Sequence, residues 1–329
     1  MSREFKLDVK DRKLLYELDR NARITLTALA KQAGVSKEVA RYRLRMLEKA
    51  GLINTYFAII DVALLGYTIR KAFIKLHNAS ESQEHELISW LVENKNVVWV
   101  ASCDGQFDIA FGMRAKNLEK YTEQLMELDN KFGHLFLQRE IAPIVRGQYF
   151  YRDYLIGKEA GTEREFAFGS VPRKVGLDGH DWRILVELGR DARISLAAMA
   201  SKIALSPDAV GKRLRRLERA GIIQNYILVL NNNAIGQLHY KVLVRLRSVS
   251  QERYRSLLEF CRLHPNIFYI VRTFGVWEFE IDLEVSDVET FRKAMRELKG
   301  EFSDIISDYS YITIYRIHKY NFCPSMEAE

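Results

Sequence analysis

The sequence predicts an α+β fold built by tandem duplication, and three observations carry the prediction. A basic phrase occurs twice: residues 36–51 read SKEVARYRLRMLEKAG and residues 206–221 read SPDAVGKRLRRLERAG. The register between the copies persists, because at a shift of 170 residues 7–56 match residues 177–226 at 23 of 50 positions, and Gly66, Asn96, Gly105 and Phe132 then fall on Gly236, Asn266, Gly275 and Phe302. Within each copy the hydrophobic period changes from that of helices to that of strands and back. Each half is therefore a basic helical unit followed by a longer mixed unit.

The first unit has three helices. Leu14, Leu15 and Leu18 recur at helical spacing after Leu7-Asp8, Thr25 precedes LTALAKQAG, and Ser36 opens the repeated phrase. Gly34 and its counterpart Ala204 sit where a tight turn between the second and third helices needs a small residue. In the second copy Ser206-Pro207-Asp208 is a strong helix start, and Gly51 and Gly221 stop the third helix. Ala40, Leu44 and Leu47 form one apolar stripe, as do Val210, Leu214 and Leu217. The opposite face of each third helix is mostly basic, and the DNA-contact candidates are Ser36, Lys37, Arg41, Tyr42, Arg45 and Lys49 in the first copy and Ser206, Lys212, Arg215, Arg216 and Arg219 in the second, with Arg43 and Arg213 nearer the border. A short basic helix presented after a tight turn suits a DNA major groove, with phosphates meeting its cations. Because the third helix of the second copy carries Lys212 and Arg216 where that of the first carries Tyr42 and Met46, the second copy is expected to make more phosphate contacts.

The second unit alternates. RKAFIKLHN at 70–78 and YKVLVRLRS at 240–248 read as strands, residues 82–95 as a helix, and VVWVASCDGQFDIAFGMRA and IFYIVRTFGVWEFEIDLEV as strand pairs around a turn. Leu118, Tyr121, Leu125 and Leu128 mark another helix before a last strand near 134–147. The order βαββαβ is that of a ferredoxin-like sandwich. The expected domains are helix-turn-helix units at 1–56 and 177–226, ferredoxin-like units at 57–155 and 227–329, and a linker at 156–176 that has glycines, charges and a proline without periodicity.

Charge and composition agree. Of the net +7 on 329 residues, residues 7–56 hold 11 Lys and Arg against 6 Asp and Glu, and residues 177–226 hold 9 against 6, which leaves the remainder slightly negative. An excess confined to two matching segments is the footprint of a nucleic-acid surface. The chain has no apolar run near the roughly 18–20 residues of a membrane span, and its charged start MSREFKLDVKD does not resemble a signal peptide. A soluble cytoplasmic protein without membrane contact is expected. Cys103, Cys261 and Cys323 are isolated and odd in number, reading as reduced thiols. No P-loop, Gly-x-Gly-x-x-Gly or close His pair is found. We expect neither cofactor nor metal.

Taken together these motifs resemble two tandem copies of the Lrp/AsnC, or feast/famine, family. The resemblance rests on the helix-turn-helix phrases, on Ile53-x-x-Tyr56 and Ile223-x-x-Tyr226, and on the hairpins Gly105-Gln106-Phe107-Asp108 and Gly275-Val276-Trp277-Glu278. It implies a regulator of transcription that binds double-stranded DNA, pairs through its ferredoxin-like domains, often assembles into homo-oligomers, and binds small effectors, commonly amino acids, near the hairpin. Gly105, Asp108, Gly275 and Glu278 are the effector candidates so implied; the simpler reading of the glycines is turn geometry, and of the acids, satisfaction of nearby amides. The two halves of this chain can pair within one polypeptide, since a flexible linker of about 20 residues spans roughly 25 Å.

Two other functions compete. Sirohaem decarboxylases share this two-domain organisation, yet they resemble His-Asn-Tyr-x-x-Arg followed by Tyr-Asn-x-Trp-Phe, where this chain has Val98-Trp99-Val100, Phe107-Asp108-Ile109-Ala110-Phe111, Phe268-Tyr269-Ile270 and Trp277-Glu278-Phe279-Glu280-Ile281; the general acid and polar ligands are missing, and Arg272 is a plausible leftover that reads more simply as a surface or interface residue. An effector-binding module without DNA contact is opposed by the third helix of the second copy, which carries Lys212, Arg213, Arg215, Arg216 and Arg219; that of the first, with Tyr42 and Met46, is less typical. A non-enzymatic regulator is the expectation.

Overall fold

The computed structural model describes residues 6–157, 165–169, 172 and 175–323. Each half opens with three helices: α1 (Val9–Arg20), α2 (Leu26–Ala33) and α3 (Lys37–Lys49) in the first, α6 (Gly179–Arg190), α7 (Leu196–Ile203) and α8 (Pro207–Arg219) in the second. Side-chain caps start all six, from Asp8, Thr25 and Ser36 and from Asp178, Ser195 and Ser206. At α1 and α6 the cap is reciprocal: Asp8 accepts from the Asp11 amide while Asp11 accepts from that of Asp8, and Asp178 and Asp181 do the same.

The turn after α2 is left-handed in both halves, with φ +68° at Gly34 and +57° at Ala204. Glycine adopts this conformation freely and alanine does not. Ala204→Gly should therefore raise stability by about 0.5–1 kcal/mol, whereas Gly34→Ala lowers it, as urea unfolding would show.

Strands β1 (Ile53–Ile60) and β7 (Ile223–Leu230) leave the helical units and pair with each other as an antiparallel ribbon. The βαββαβ units follow. They are β2 (Thr68–Leu76), α4 (Glu81–Glu93), β3 (Val97–Gly105), β4 (Ile109–Ala115), α5 (Leu118–Phe132) and β5 (Phe136–Phe150), and then β8 (Leu238–Leu246), α9 (Gln251–Leu263), β9 (Ile267–Thr273), β10 (Phe279–Val285), α10 (Val288–Phe302) and β11 (Ile306–Tyr320). The strand order β2-β4-β3-β11-β8-β10-β9-β5 closes through a β2–β5 pairing, so eight strands form a ring. The last strand of each unit joins the halves. Residues 136–143 of β5 pair with β2 and residues 144–149 with β9; residues 306–314 of β11 pair with β8 and residues 312–320 with β3.

Alternation divides each strand between two cores. Ile109, Phe111 and Met113 of β4 lie with Leu87, Leu91, Leu128 and Phe132 of α4 and α5, while Ala110 faces the ring interior; Phe279, Ile281 and Leu283 of β10 pack with α9 and α10 in the same way. The interior, the ribbon and the second helical unit share one further cluster, which contains Phe57, Ile59, Trp99, Tyr149, Ile227 and Tyr269.

The segment 156–176, expected as a linker, contains strand β6 (Glu165–Phe168), which pairs with Gly147–Phe150; residues 158–164 lie outside the described part. Local sequence does not signal it, because its register depends on a distant glycine. A Cβ at Gly147 would come within 2.4 Å of the Phe168 ring. Among the described residues no helix is long and apolar enough to cross a membrane.

Candidate nucleic-acid interface

The arginines of the repeated sequence Ala-Arg-Ile, at 22–24 and 192–194, join the two halves. Arg23 donates to the carbonyls of Ala192 (2.6 Å) and Ile194 (3.0 Å) in the other half, and Arg193 donates to the Ala22 carbonyl at 2.5 Å. Each guanidinium also lies over a tyrosine of the ribbon, Arg23 over Tyr226 at 5.3 Å and Arg193 over Tyr56 at 5.1 Å. The phenol of Tyr56 donates to Glu48 and that of Tyr226 to Glu218, both at 2.8 Å, so each ribbon strand is tied to the third helix of its own half. Burial, reinforced by those carboxylates, raises both phenol pKa values. Helices α3 and α8 are thus each fixed to a ribbon strand, and each helical unit to the opposite half.

Helices α3 and α8 bury Ala40, Leu44 and Leu47, and Val210, Leu214 and Leu217. Ser36 and Ser206 are exposed and use their hydroxyls as N-caps, accepting from Val39 and Ala209 amides at 3.2 Å. Lys37, Arg41, Tyr42, Arg45 and Lys49 are exposed on α3, and Lys212, Arg215, Arg216 and Arg219 on α8. Tyr42 has 65% of its surface in solvent, a flat ring beside the cations.

Arg43 and Arg213 are placed differently. Arg43 donates to Asp8 (2.7 Å) and Asp11 (2.8 Å), and Arg213 to Asp178 (2.7 Å) and Asp181 (2.9 Å), because the reciprocal caps of α1 and α6 bring two carboxylates together that need a cation. Arg216 also pairs with Asp181, and Lys212 with Asp208 at 2.9 Å across one helical turn. The sequence overlooked these pairings, although Asp8, Asp11, Asp178 and Asp181 were in plain view. The amide of Asp181 and the Arg213 guanidinium hold Asp178 low, at about 2. Since the folded pKa is below the unfolded one, its contribution is fully present above about pH 4 and is lost as pH falls toward 2. Asp178→Asn should accordingly flatten the acid limb of a thermal-stability profile, and an unchanged limb would refute the assignment.

The hairpin residues take structural partners. Gly105 and Gly275 have φ +114° and +107°, and Asp108 accepts from the Leu76 amide (2.7 Å) and pairs with Lys75 (2.6 Å), while Glu278 accepts from the Leu246 amide at 2.8 Å. Beside the second hairpin is a cleft of about 910 Å³, lined by Tyr254, Arg255, Arg272 and Phe274 among others. Arg272, which falls on the arginine of the decarboxylase motif as Tyr269 falls on its tyrosine, lies with its guanidinium 5.2 Å from the centre of the Tyr254 ring.

Comparisons with known proteins bear on these surfaces. A family model described as winged helix-turn-helix DNA-binding matches residues 7–54 and 177–224. The HTH-type transcriptional regulator AldR of Mycolicibacterium smegmatis is 30% identical over 130 residues, which are 39% of this chain and 76% of that protein. The HTH-type transcriptional regulator LrpC of Bacillus subtilis is 31% identical over 114 residues, 34% of this chain and 77% of that one. Each relative is thus matched by less than half of the present chain. Among solved structures, the siroheme decarboxylase NirDL aligns over 96% of this chain and 94% of its own with a TM-score of 0.60 at 12% identity, a likeness of fold.

Proposed function

Because the chain belongs to the Lrp/AsnC family of transcriptional regulators, we propose that it acts as a covalent pseudo-dimer whose α3 and α8 read two half-sites of one DNA duplex. The observation that carries this reading is the reciprocal Arg23 and Arg193 clasp across the β1–β7 ribbon, which holds two basic helices in one rigid arrangement. Joining the two readers covalently raises the effective concentration of the second once the first is bound. Their exposed faces differ, with Arg41, Tyr42 and Arg45 on one and Lys212, Arg215 and Arg219 on the other, and the operator expected is asymmetric.

Regulation by an effector at the hairpins is part of the proposal. Gly105 and Asp108 border one candidate position and Gly275 and Glu278 the other. The cleft at the second hairpin supports it, because Arg255 and Arg272 suit a carboxylate, such as that of an amino acid, while Tyr254, Leu258 and Phe274 suit an apolar side chain.

A decarboxylase reading is favoured by whole-chain likeness of fold and opposed by the hairpins, where Phe107 and Trp277 are buried with Phe73 in a tilted aromatic cluster. We therefore propose a non-enzymatic role. Selection of fragments from the source genome by the purified protein decides between them. Enrichment of a site with two unlike half-sites about one helical turn apart is expected. Equal binding of symmetrised half-sites would overturn the asymmetry, and failure to enrich at low salt, with tetrapyrrole absorbance in the purified protein, would favour the enzyme.

A further inference from the structure

The ring interior contains charges that the regulator reading does not use. Strand β10 places Glu280, Asp282 and Glu284 at alternating positions, so all three carboxylates face inward. Lys71 of β2 donates to Glu280 at 2.6 Å, across the boundary between the halves. Lys241 of β8 donates to Asp282 at 2.5 Å and to Glu280 at 3.2 Å, and His239 meets Asp282 at 2.7 Å. Arg152, just beyond β5, forms a two-pronged pair with Glu284 at 2.6 and 3.0 Å, again between halves, and reaches Asp19 of α1 at 2.5 Å. Tyr149 and Tyr154 complete the coordination of Asp19 and Glu284. All seven charged side chains are at least nine-tenths buried.

The network breaks the symmetry of the duplication. The two lysines are equivalent at the shift of 170, but Glu280, Asp282 and Glu284 correspond to Ala110, Gly112 and Arg114, and Asp19 and Arg152 correspond to Gly189 and Phe322. The first half therefore brings an excess of cations to the interior, and the second an excess of carboxylates. Two first halves closing a ring would bring together two Lys71 side chains with no acid on β4 to receive them. Two second halves would confront six β10 carboxylates with two lysines. The remaining cavity here is only about 60 Å³, far less than a neutralising metabolite needs. Unpaired buried charge is among the costliest defects an interface can contain.

We propose that this interior is a charge code that makes each half accept only the unlike half, so the chain closes its ring on itself and rejects like halves from other chains. The partner surface that fits β2 and Arg152 is a strand with inward carboxylates four residues apart, Glu280 for Lys71 and Glu284 for Arg152. The inference is independent of DNA binding.

The test uses the whole protein with a protease site inserted between residues 157 and 165. It is cleaved while folded, unfolded in urea, refolded, and weighed by native mass spectrometry. Complexes of one first and one second half are expected, with like pairs essentially absent. Like pairs near half of all pairs, the share for indifferent association, would overturn the code. If the cleaved chain fails to refold, the intact protein decides. Lys71→Glu and Glu280→Lys should each lower Tm by roughly 5–10 °C and together recover most of that loss. Additive losses would overturn the proposal.

Discussion

Arg152→Ala should cost about 3–5 kcal/mol of folding stability, the largest effect of any single substitution considered for this protein. Arg152 bonds both Asp19 and Glu284, and its backbone amide also donates to Asp19 at 2.9 Å. Removing the side chain leaves two carboxylates, both under 2% exposed, without their cation. The loss comes from stranded charge; burying an ion pair is not in itself strongly stabilising. Arg152→Lys should fall between, since an ammonium keeps the charge but cannot span both acids with a planar fork. The pH dependence supplies a second check. Burial without a partner raises the carboxylate pKa values above those of the unfolded chain, so the Ala variant keeps more of its stability in mild acid and loses it as pH rises. Urea unfolding at several pH values measures both, and a loss under about 1 kcal/mol would show that the network relaxes around the gap.

The second large effect is on DNA. Arg41→Gln with Arg45→Gln should reduce the slope of log affinity against log salt by about 1.8, since each lost phosphate contact removes about 0.9. Arg215→Gln with Arg216→Gln should reduce it by only about 0.9, because Asp181 already holds Arg216. This reverses the ranking that cation counting along α8 suggests. Arg43→Gln should leave the slope unchanged and lower stability instead, by exposing the Asp8–Asp11 cap to self-repulsion. Titrations of fluorescent operator at several salt concentrations separate the three outcomes; equal slopes for the first two doubles would restore the simple count.

Much of the architecture was legible because it is written locally. Helix caps at Asp8, Ser36 and Ser206, the left-handed turn at Gly34 and the alternating strands depend on neighbours in sequence. The exposed basic faces of α3 and α8 follow from the same periodicity. What the sequence hid was settled across the chain. Arg43 and Arg213, DNA-contact candidates at the border of the basic face, are taken up by paired aspartates once α1 and α6 fold against them. Glu280, Asp282 and Glu284 look like the solvated face of an ordinary strand, and only ring closure shows that this face is inside. Strand β6 was invisible because its partner lies on β5 and is shaped by Gly147.

The β1–β7 ribbon has a bearing on the length scale of the operator. Tyr56 and Tyr226 fasten α3 and α8 to its two strands, and Arg23 and Arg193 lock each helical unit onto the opposite half. In the proposed pseudo-dimer the ribbon is then a gauge block: the separation of the two basic helices is machined into seven residue pairs of sheet. On that proposal, extra residues inserted between 157 and 165, before β6, should leave the half-site spacing where it was, while slipping the ribbon by one pair should move α3 and α8 relative to each other and change which spacing of sites the protein can grip.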